Sequence, residues 1–463
     1  MTAHRGLTLA SSVVGAVIVA LDGTVLTVAQ PELQRDLHAS LTQVQWTSTG
    51  YLIAVASLLV FAGRLGDRHG HRRMFALGMV GFGAASAGIG FAPGIGWVIG
   101  LRVVQGVFGA LLQPATLGML RAAYPPERLA MPIALRTSAI GVAAAAGPLV
   151  GGALVTPFGW RAVFFLNVAP ALLMGVLAAV VRGPEHPPAA RPPLDLPGAG
   201  LLAAALVCLV YALAAVADSG RLTTPVVALL GAAVAGCLFV RHGRHATNAL
   251  LPAGVLGRSA VGPALGLLVA VSAALLGTLF VSSYVLQDVL GLDPLRTALW
   301  ALPAPVAMVL GAPVTAVVIR RYGPRRTAGT ATALLALGVL LLSRLGQGAS
   351  QVWAGTGFLL VGAGFGTVMV TATAVIVREM PVASAGVAGG LQQTALNVGP
   401  TVGVATAGTL MARTDVASGP TLTVLACVCL LGVPLALRMP GRPGVRAAAA
   451  EQSTSVPQEI AKG

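Results

Sequence analysis

The chain has 463 residues, of which 56% are hydrophobic and only 9% are charged, and its mean hydropathy is +0.86. Because a soluble domain carries about 25% charged residues, this chain has too few charges to cover a water-soluble fold of its size. The composition therefore argues against a soluble enzyme. It indicates a polytopic membrane protein, since one spanning helix takes about 20 apolar residues.

The net charge of +15 does not indicate a nucleic-acid partner, because the basic residues are dispersed among short loops. We expect the chain to lie in the lipid bilayer and to bind no nucleic acid. All four cysteines lie in apolar runs and are interpreted as small core residues: Cys208, Cys237, Cys427 and Cys429.

Apolar runs of helical length predict an all-α protein with fourteen spans. In chain order they cover residues 7–29, 45–62, 74–92, 97–120, 132–155, 161–181, 198–217, 223–240, 259–286, 296–318, 327–344, 352–377, 385–411 and 417–437. The predicted organisation is a six-helix bundle, a proline-rich cytoplasmic linker, an inserted two-helix hairpin, a second six-helix bundle and a cytoplasmic tail, at 1–182, 183–197, 198–241, 242–437 and 438–463.

The distribution of basic residues predicts the orientation. With the N-terminus in the cytoplasm, twenty-two of the 29 basic residues lie inside and six lie outside. The positive-inside rule therefore places both termini in the cytoplasm. A cleaved signal peptide is the alternative interpretation of the first span, but that span carries Asp22 and thirteen more spans follow it.

Three segments recur in the two halves at nearly equal separations in sequence. The matched pairs are 68–73 with 321–326, 147–151 with 399–403, and 23–24 with 277–278. Each separation covers eight spans, so the hairpin is inserted between two duplicated halves that share one orientation. This repeat favours a transporter whose halves rock about a central site.

Asp22 is the one acid deep in an apolar span, where burial of a charge costs roughly 2.5 to 3.5 kcal/mol. At about 1.5 Å per residue it lies about 22 Å from the cytoplasmic edge of the membrane core. Arg102 lies about 8 Å below the outer edge, which is the same depth. We expect the two to pair and Asp22 to carry protons; a static structural pair, or an arginine reaching outward beside the acid, is the alternative.

Four motifs carry a family resemblance. They are the first-span segment 21–31, the loop 63–73, the fourth-span segment 102–106 and the fifth-span segment 141–152. Because these motifs occur in this order and at these spans, the chain resembles the major facilitator superfamily and, within it, the fourteen-span drug:proton antiporter branch. It departs from the usual pattern at Thr27, His71 and Ala162.

The resemblance implies three roles. It assigns proton coupling to Asp22, and it assigns a latch of the outward-facing state to Asp67 and Arg68 of the loop, where a solvated, positively charged loop is the alternative. It also favours a gating hinge in the fifth span, where an ordinary proline kink is the alternative. The residues to which it assigns gating are Gly63, Asp67, Arg68, Gly70, Arg72, Gly147, Pro148 and Gly151. The second half has Arg320 where the first has Asp67, so we expect an asymmetric latch.

Polar and aromatic residues within the spans are candidates for a broad substrate cavity, although hydrogen bonding between helices is the simpler role for each polar residue alone. They are Trp46, Tyr51, Gln105, Gln113, Asn167, Tyr284, Gln287, Trp300, Gln392, Gln393 and Asn397.

These patterns predict a monomeric, proton-coupled exporter of hydrophobic drugs or secondary metabolites in the bacterial inner membrane. It would use the proton gradient and need no cofactor; no G-x-x-x-x-G-K-[ST] motif occurs in the sequence. A nutrient importer on the same fold is the main alternative. An intramembrane enzyme is disfavoured because Asp22 has no second buried acid beside it, and a receptor or scaffold would bind its ligand without transport.

Overall fold

The computed structural model describes residues 2–180, 194–218, 223–246, 249–250, 260–292, 294–346, 350–381, 384–411 and 418–441. Most of the predicted linker and tail lies outside these residues. Every secondary-structure element in these residues is a helix.

The first half comprises six long helices and the hairpin adds two. Their bounds are α1 Thr2–Asp36, α2 Leu41–His69, α3 His71–Gly90, α4 Ile95–Ala123, α5 Ala130–Phe158, α6 Arg161–Val180, α7 Leu196–Asp218 and α8 Thr223–His245. A short 3-10 turn, Pro126–Arg128, precedes α5. Most helices extend beyond the predicted apolar runs. Their last turns carry polar or charged side chains, as at the end of α8, and an apolar run does not include such turns.

In its described residues the second half contains eight α-helices, and a π-helical segment, Val285–Val289, follows the first of them. The α-helices are α9 Val261–Tyr284, α10 Pro294–Ala301, α11 Pro303–Tyr322, α12 Pro324–Leu342, α13 Gln351–Glu379, α14 Ala385–Met411, α15 Ser418–Leu430 and α16 Gly432–Leu437. The predicted span 296–318 is thus divided before Pro303, and 417–437 is divided before Gly432, close to Pro434. A proline nitrogen cannot donate the helical hydrogen bond, which accounts for a break near each proline.

Thirteen helical stretches in the described part of the chain are long and apolar enough to cross a membrane. The predicted span 385–411 coincides with α14, which is not among them although it has 27 residues. Gln392, Gln393 and Asn397 lie within α14 and lower its hydropathy.

The repeated loop has the same backbone form in both halves. Gly70 has φ 97° and joins α2 to α3, and Gly323 has φ 81° and joins α11 to α12. Side chains with a Cβ rarely adopt this positive φ, so glycine is required at both turns. The matching turns support the internal duplication found in the sequence.

The helices pack as two groups. Helices α1–α6 contact one another, and α9 and α11–α16 do the same; α2, α4 and α5 of the first group touch α11, α13 and α14 of the second. The hairpin is peripheral, since α7 touches α2 and α14 while α8 packs mainly on α7.

Asp195 ties the hairpin together at the predicted cytoplasmic side. Its carboxylate accepts hydrogen bonds from the Gly198 amide, the Leu250 amide and the His242 ring. Burial raises the pKa of Asp195, but these three hydrogen bonds lower it by more, so the pKa lies below its ordinary value. The carboxylate therefore stays charged and holds the start of α7, the end of α8 and the following segment together.

Candidate functional site

The centre of the first half contains a buried ion pair between α1 and α4. Arg102 Nη1 donates to Asp22 Oδ2 at 2.7 Å, and both residues are 1% exposed. This is the contact expected from their equal depths. Since each charge lies away from water, each offsets the cost of burying the other.

Two amide side chains also donate hydrogen bonds to the carboxylate. Asn167 Nδ2 from α6 donates to Asp22 Oδ1 at 2.9 Å, and Gln105 Nε2 donates to the same oxygen at 3.3 Å. Gln105 also donates to Ser86 Oγ of α3 at 2.7 Å. We call Asp22, Arg102, Gln105 and Asn167 the Asp22 cluster. It brings α1, α4 and α6 together, and Ser86 adds α3.

The guanidinium of Arg102 is fixed from α2 as well. Its Nε donates to the Thr47 carbonyl at 3.0 Å, its Nη1 donates to Gln105 Oε1 at 2.5 Å, and its Cζ lies 4.4 Å from the centre of the Tyr51 ring. A guanidinium over an aromatic face gains a cation–π attraction. If the contact with Asp22 broke, Arg102 would therefore keep its contacts with Thr47, Gln105 and Tyr51.

The sequence assigned Gln105, Asn167 and Tyr51 to the substrate cavity. In this conformation they are buried against the ion pair, at 0%, 2% and 6% exposure. Gln105 carried a signal for this position, because it lies three residues after Arg102 on one helix face. The contact of Asn167 with Asp22 depends on how α6 packs against α1, which no local pattern reveals.

An apolar cavity of about 340 Å³ lies between α2 and α4, the helices that carry Tyr51 and Arg102. Trp46, one of the predicted cavity residues, lines it. The other lining residues are Gly50, Ile53, Ala54, Ser57, Leu58, Val103 and Val107. Gly50 and Val103 directly adjoin Tyr51 and Arg102 in the chain, so the cavity lies beside the helix turns that carry these two residues, and no residue of the Asp22 cluster is part of its described lining.

The remaining predicted cavity residues are dispersed. Gln392 Nε2 donates to Thr373 Oγ1 at 3.2 Å, Gln287 Nε2 donates to Ser283 Oγ at 2.9 Å, and Asn397 Nδ2 donates to the Gln393 carbonyl at 3.0 Å. Gln113 is buried, Trp300 packs on the core of the second half, and Tyr284 is 38% exposed. Their role in a cavity stays a prediction.

Asp67 joins the two halves at the predicted cytoplasmic side. Its Oδ1 accepts from the Gly386 amide at 2.7 Å and its Oδ2 accepts from the Val387 amide at 3.2 Å. These amides belong to the first turn of α14, where N–H groups lack helical partners and the helix dipole favours an anion. We call this contact the Asp67 latch. Its asymmetry is plain, since the equivalent Arg320 is exposed.

His71 lies next to the latch. Its Nε2 is 3.3 Å from Asp67 Oδ1, and a Cβ added at Gly66, Gly118 or Gly386 would approach its ring to within 2.9 Å. The ring is therefore packed where α2, α4 and α14 meet. Arg72, another predicted gating residue, donates from its Nε to the Ala178 carbonyl at 2.7 Å.

Glycine contacts bring the halves close around the latch. A Cβ at Gly63 would clash with the Gly386 carbonyl, and a Cβ at Gly390 would lie 2.5 Å from the Leu59 carbonyl. A separate apolar cluster also contains residues of both halves, from α4 and α5 and from α11 and α13. We call it the inter-half cluster, and its buried members are Leu117, Leu120, Leu129, Ile133, Ala134, Ala312, Ala316, Val370 and Val377.

The fifth-span motif packs directly on α1. A Cβ at Gly147 would clash with the Thr24 side chain, and one at Gly151 would lie 3.2 Å from both Val25 and Val28. The backbone of α5 is helical through the motif, and the side chain of Pro148 lies outside the described residues. The motif thus contacts the turn that follows Asp22, while its role as a hinge stays a prediction.

A multi-pass helical bundle with a buried ion cluster at its centre and a close contact between its halves on one side has the architecture of a membrane transporter. The chain matches the family described as Major Facilitator Superfamily over residues 13–404, and it belongs to that family. Since the family consists of transporters, the protein is a transporter and not an enzyme.

Two relatives and one solved structure illustrate the similarity. The chain is 40% identical over 410 residues to a tetracenomycin C resistance and export protein of Streptomyces glaucescens, covering 88% of this chain and 76% of the relative. It is 32% identical over 405 residues to the multidrug efflux pump LfrA of Mycolicibacterium smegmatis, covering 85% and 78%. The human organic anion transporter MFSD10 (TETRAN) has the same fold, with a TM-score of 0.67 at 16% identity over 93% and 99% of the two chains.

Proposed function

We propose that the protein exports hydrophobic drugs, antibiotics or secondary metabolites across the bacterial inner membrane in exchange for protons, by alternating access. It would work as a monomer with fourteen spans and both termini in the cytoplasm. The moving parts would be the six-helix bundles at 1–182 and 242–437. The observation that carries the proposal is the Asp22 cluster, because an intramembrane acid is costly and usually functional.

The names of the relatives support the substrate class, since they describe resistance, export and multidrug efflux. The cavity between α2 and α4 supports it independently. Its described lining is apolar apart from Ser57 and the indole nitrogen of Trp46. Such a surface binds hydrophobic molecules through burial of apolar area and offers little to a sugar or another strongly hydrated solute.

The Asp22 cluster supplies a proton site. The Arg102 guanidinium is the counter-charge of the Asp22 carboxylate. If movement of α1 against α4 lengthens the contact, Asp22 loses its counter-charge and takes up a proton, while Arg102 keeps its bonds to Thr47 and Gln105. Each proton that re-enters across 100 mV supplies about 2.3 kcal/mol, which supports roughly a fifty-fold substrate gradient.

The arrangement of contacts supports alternating access. The Asp67 latch, the glycine contacts and the inter-half cluster all lie on the predicted cytoplasmic side, so this conformation corresponds to an outward-facing state. Gly147 and Gly151 couple α5 to the turn after Asp22. Protonation of Asp22 would thereby alter the packing of α5, which also touches α11 of the second half.

The experiment is Asp22→Asn, assayed as proton-driven efflux in inverted membrane vesicles and as antibiotic resistance in cells. Asparagine retains the shape of the side chain and one accepting oxygen, but it has no charge and cannot exchange a proton, so both activities should be lost. Asp36→Asn is the matched control, because Asp36 lies on the same helix with a 45% exposed side chain. Wild-type proton-driven efflux in Asp22→Asn would reject the coupling role, and proton-driven uptake by whole cells would indicate an importer.

A further inference from the structure

The hairpin borders a second cavity, which lies between α7 and α8 and also measures about 340 Å³. Tyr211 from α7 and Thr223, Thr224, Val227 and Ala228 from α8 line it. Tyr211 lies seven residues before the end of α7, which corresponds to about 10 Å from that end. Trp46, which lines the first cavity, lies about 8 Å from the start of α2. In the proposed topology both are in the outer leaflet.

An aromatic contact joins one lining residue of the first cavity to one lining residue of the second. The ring centres of Trp46 and Tyr211 are 6.4 Å apart with an interplanar angle of 35°. One ring lines the cavity between α2 and α4, and the other lines the cavity of the hairpin. Trp46 is 38% exposed, so its ring is not locked by packing.

The second cavity adjoins the bilayer. Most of α8 is exposed, and its large apolar side chains face outward, including Val226, Val227, Leu229, Leu230 and Val234. An apolar surface of this size would be unusual in a protein surrounded by water, but in a membrane the lipid hydrocarbon surrounds these residues. A molecule in the second cavity would therefore lie next to the lipid.

We propose that Trp46 and Tyr211 form a gate between the transport cavity and the outer leaflet, so that planar hydrophobic substrates leave sideways through the hairpin. This inference rests on the proposed export function and names its exit route. The described residues that line both cavities carry no charge, and the two rings offer faces on which flat aromatic molecules stack. The inserted hairpin thereby acts in substrate release and selectivity.

The test measures access to the first cavity without measuring transport. Ser57→Cys places a thiol in that cavity, in a background with the four native cysteines replaced by serine or alanine. In reconstituted vesicles, N-phenylmaleimide dissolved in the bilayer should reach this thiol through the hairpin. A charged, water-soluble maleimide added outside should reach it through the aqueous opening.

Two further substitutions should act in opposite directions. Ala228→Trp fills the second cavity and should slow labelling by N-phenylmaleimide about tenfold, as expected for a pocket that loses space for its ligand. Tyr211→Ala removes half of the gate and should accelerate that labelling severalfold. Neither should change labelling by the charged reagent, which also shows that each variant is folded.

Leu230→Trp is the matched control, because Leu230 lies on α8, is 61% exposed and is not part of the described lining of either cavity. It should label like the parent protein. Unchanged N-phenylmaleimide labelling in Ala228→Trp would overturn the gate. The Asp22→Asn efflux assay is separate, so the gate and the proton-coupled export can fail independently.

Discussion

Asp22 and Arg102 are 80 positions apart in sequence, yet their side chains meet at 2.7 Å and are almost wholly enclosed. The pair is bound on both sides by neutral groups, with Asn167 on the carboxylate and the Thr47 carbonyl on the guanidinium. The structure therefore holds two opposite charges that can separate without either being left bare.

This pair makes a prediction about stability. Arg102→Gln leaves the carboxylate of Asp22 without its cation, and loss of one partner of a buried pair costs about 3–5 kcal/mol. The double variant Asp22→Asn with Arg102→Gln has no uncompensated charge. In detergent, the thermal midpoint should fall most in Arg102→Gln and recover in part in the double variant. Equal midpoints for the two proteins would show that the charges are not coupled.

The Asp67 latch predicts a change in conformational equilibrium. Asp67→Ala removes both acceptors from the first turn of α14, and loss of a helix cap costs about 1 kcal/mol with a further contribution of about 0.3–1 kcal/mol from the helix dipole. The cytoplasmic side should therefore open about tenfold more often.

The measurement is labelling of Ala312→Cys, a fully buried member of the inter-half cluster, by a charged maleimide on the cytoplasmic face. Arg320→Ala is the control, since Arg320 is the exposed equivalent of Asp67 in the second half. A labelling rate in Asp67→Ala that matches the control would contradict the latch.

The glycine contacts predict a steric effect. In Gly386→Ala the new methyl group would meet the Gly63 carbonyl. Because this carbonyl belongs to the helix backbone of α2 and cannot rotate away, α14 must move away from α2. Efflux should fall strongly. Gly408→Ala lies on the same helix and has open space at the added methyl group, so its efflux should remain close to normal. A normal rate in both variants would mean that close approach of the halves is not required.

Asp36 predicts a pH-dependent contribution at the outer side. Hydrogen bonds from the Trp160 indole and from Arg161 lower the pKa of Asp36 below its ordinary value of 3.8. A carboxyl whose pKa is lower in the folded state stabilises the fold above the ordinary pKa, and this stabilisation is lost as pH falls through the folded-state pKa. Asp36→Asn should thus lower the thermal midpoint slightly at neutral pH, and the difference should shrink as the pH falls below 3.8 and vanish once the pH is below the folded-state pKa of Asp36. A difference that persists in acid would exclude this cause.

The sequence predicted the features that depend on residue type and periodicity. The helices follow from the apolar runs, and the meeting of Asp22 with Arg102 follows from their depths. It did not predict that Asn167 and Gln105 hold the carboxylate, because the rotation of α6 relative to α1 is set by packing over the whole bundle. The partner of Asp67 was also hidden, since a backbone amide has no sequence signature.

Asp67 binds backbone amides of the opposite half, and this affects how the sequence of such a protein can change in evolution. A carboxylate that binds peptide N–H groups imposes no side-chain requirement on the opposite half beyond the small residue that permits close approach. Walls of the binding cavity can then change for new compounds without a compensating change at the closing contact. The closing mechanism and the chemical repertoire can therefore evolve separately.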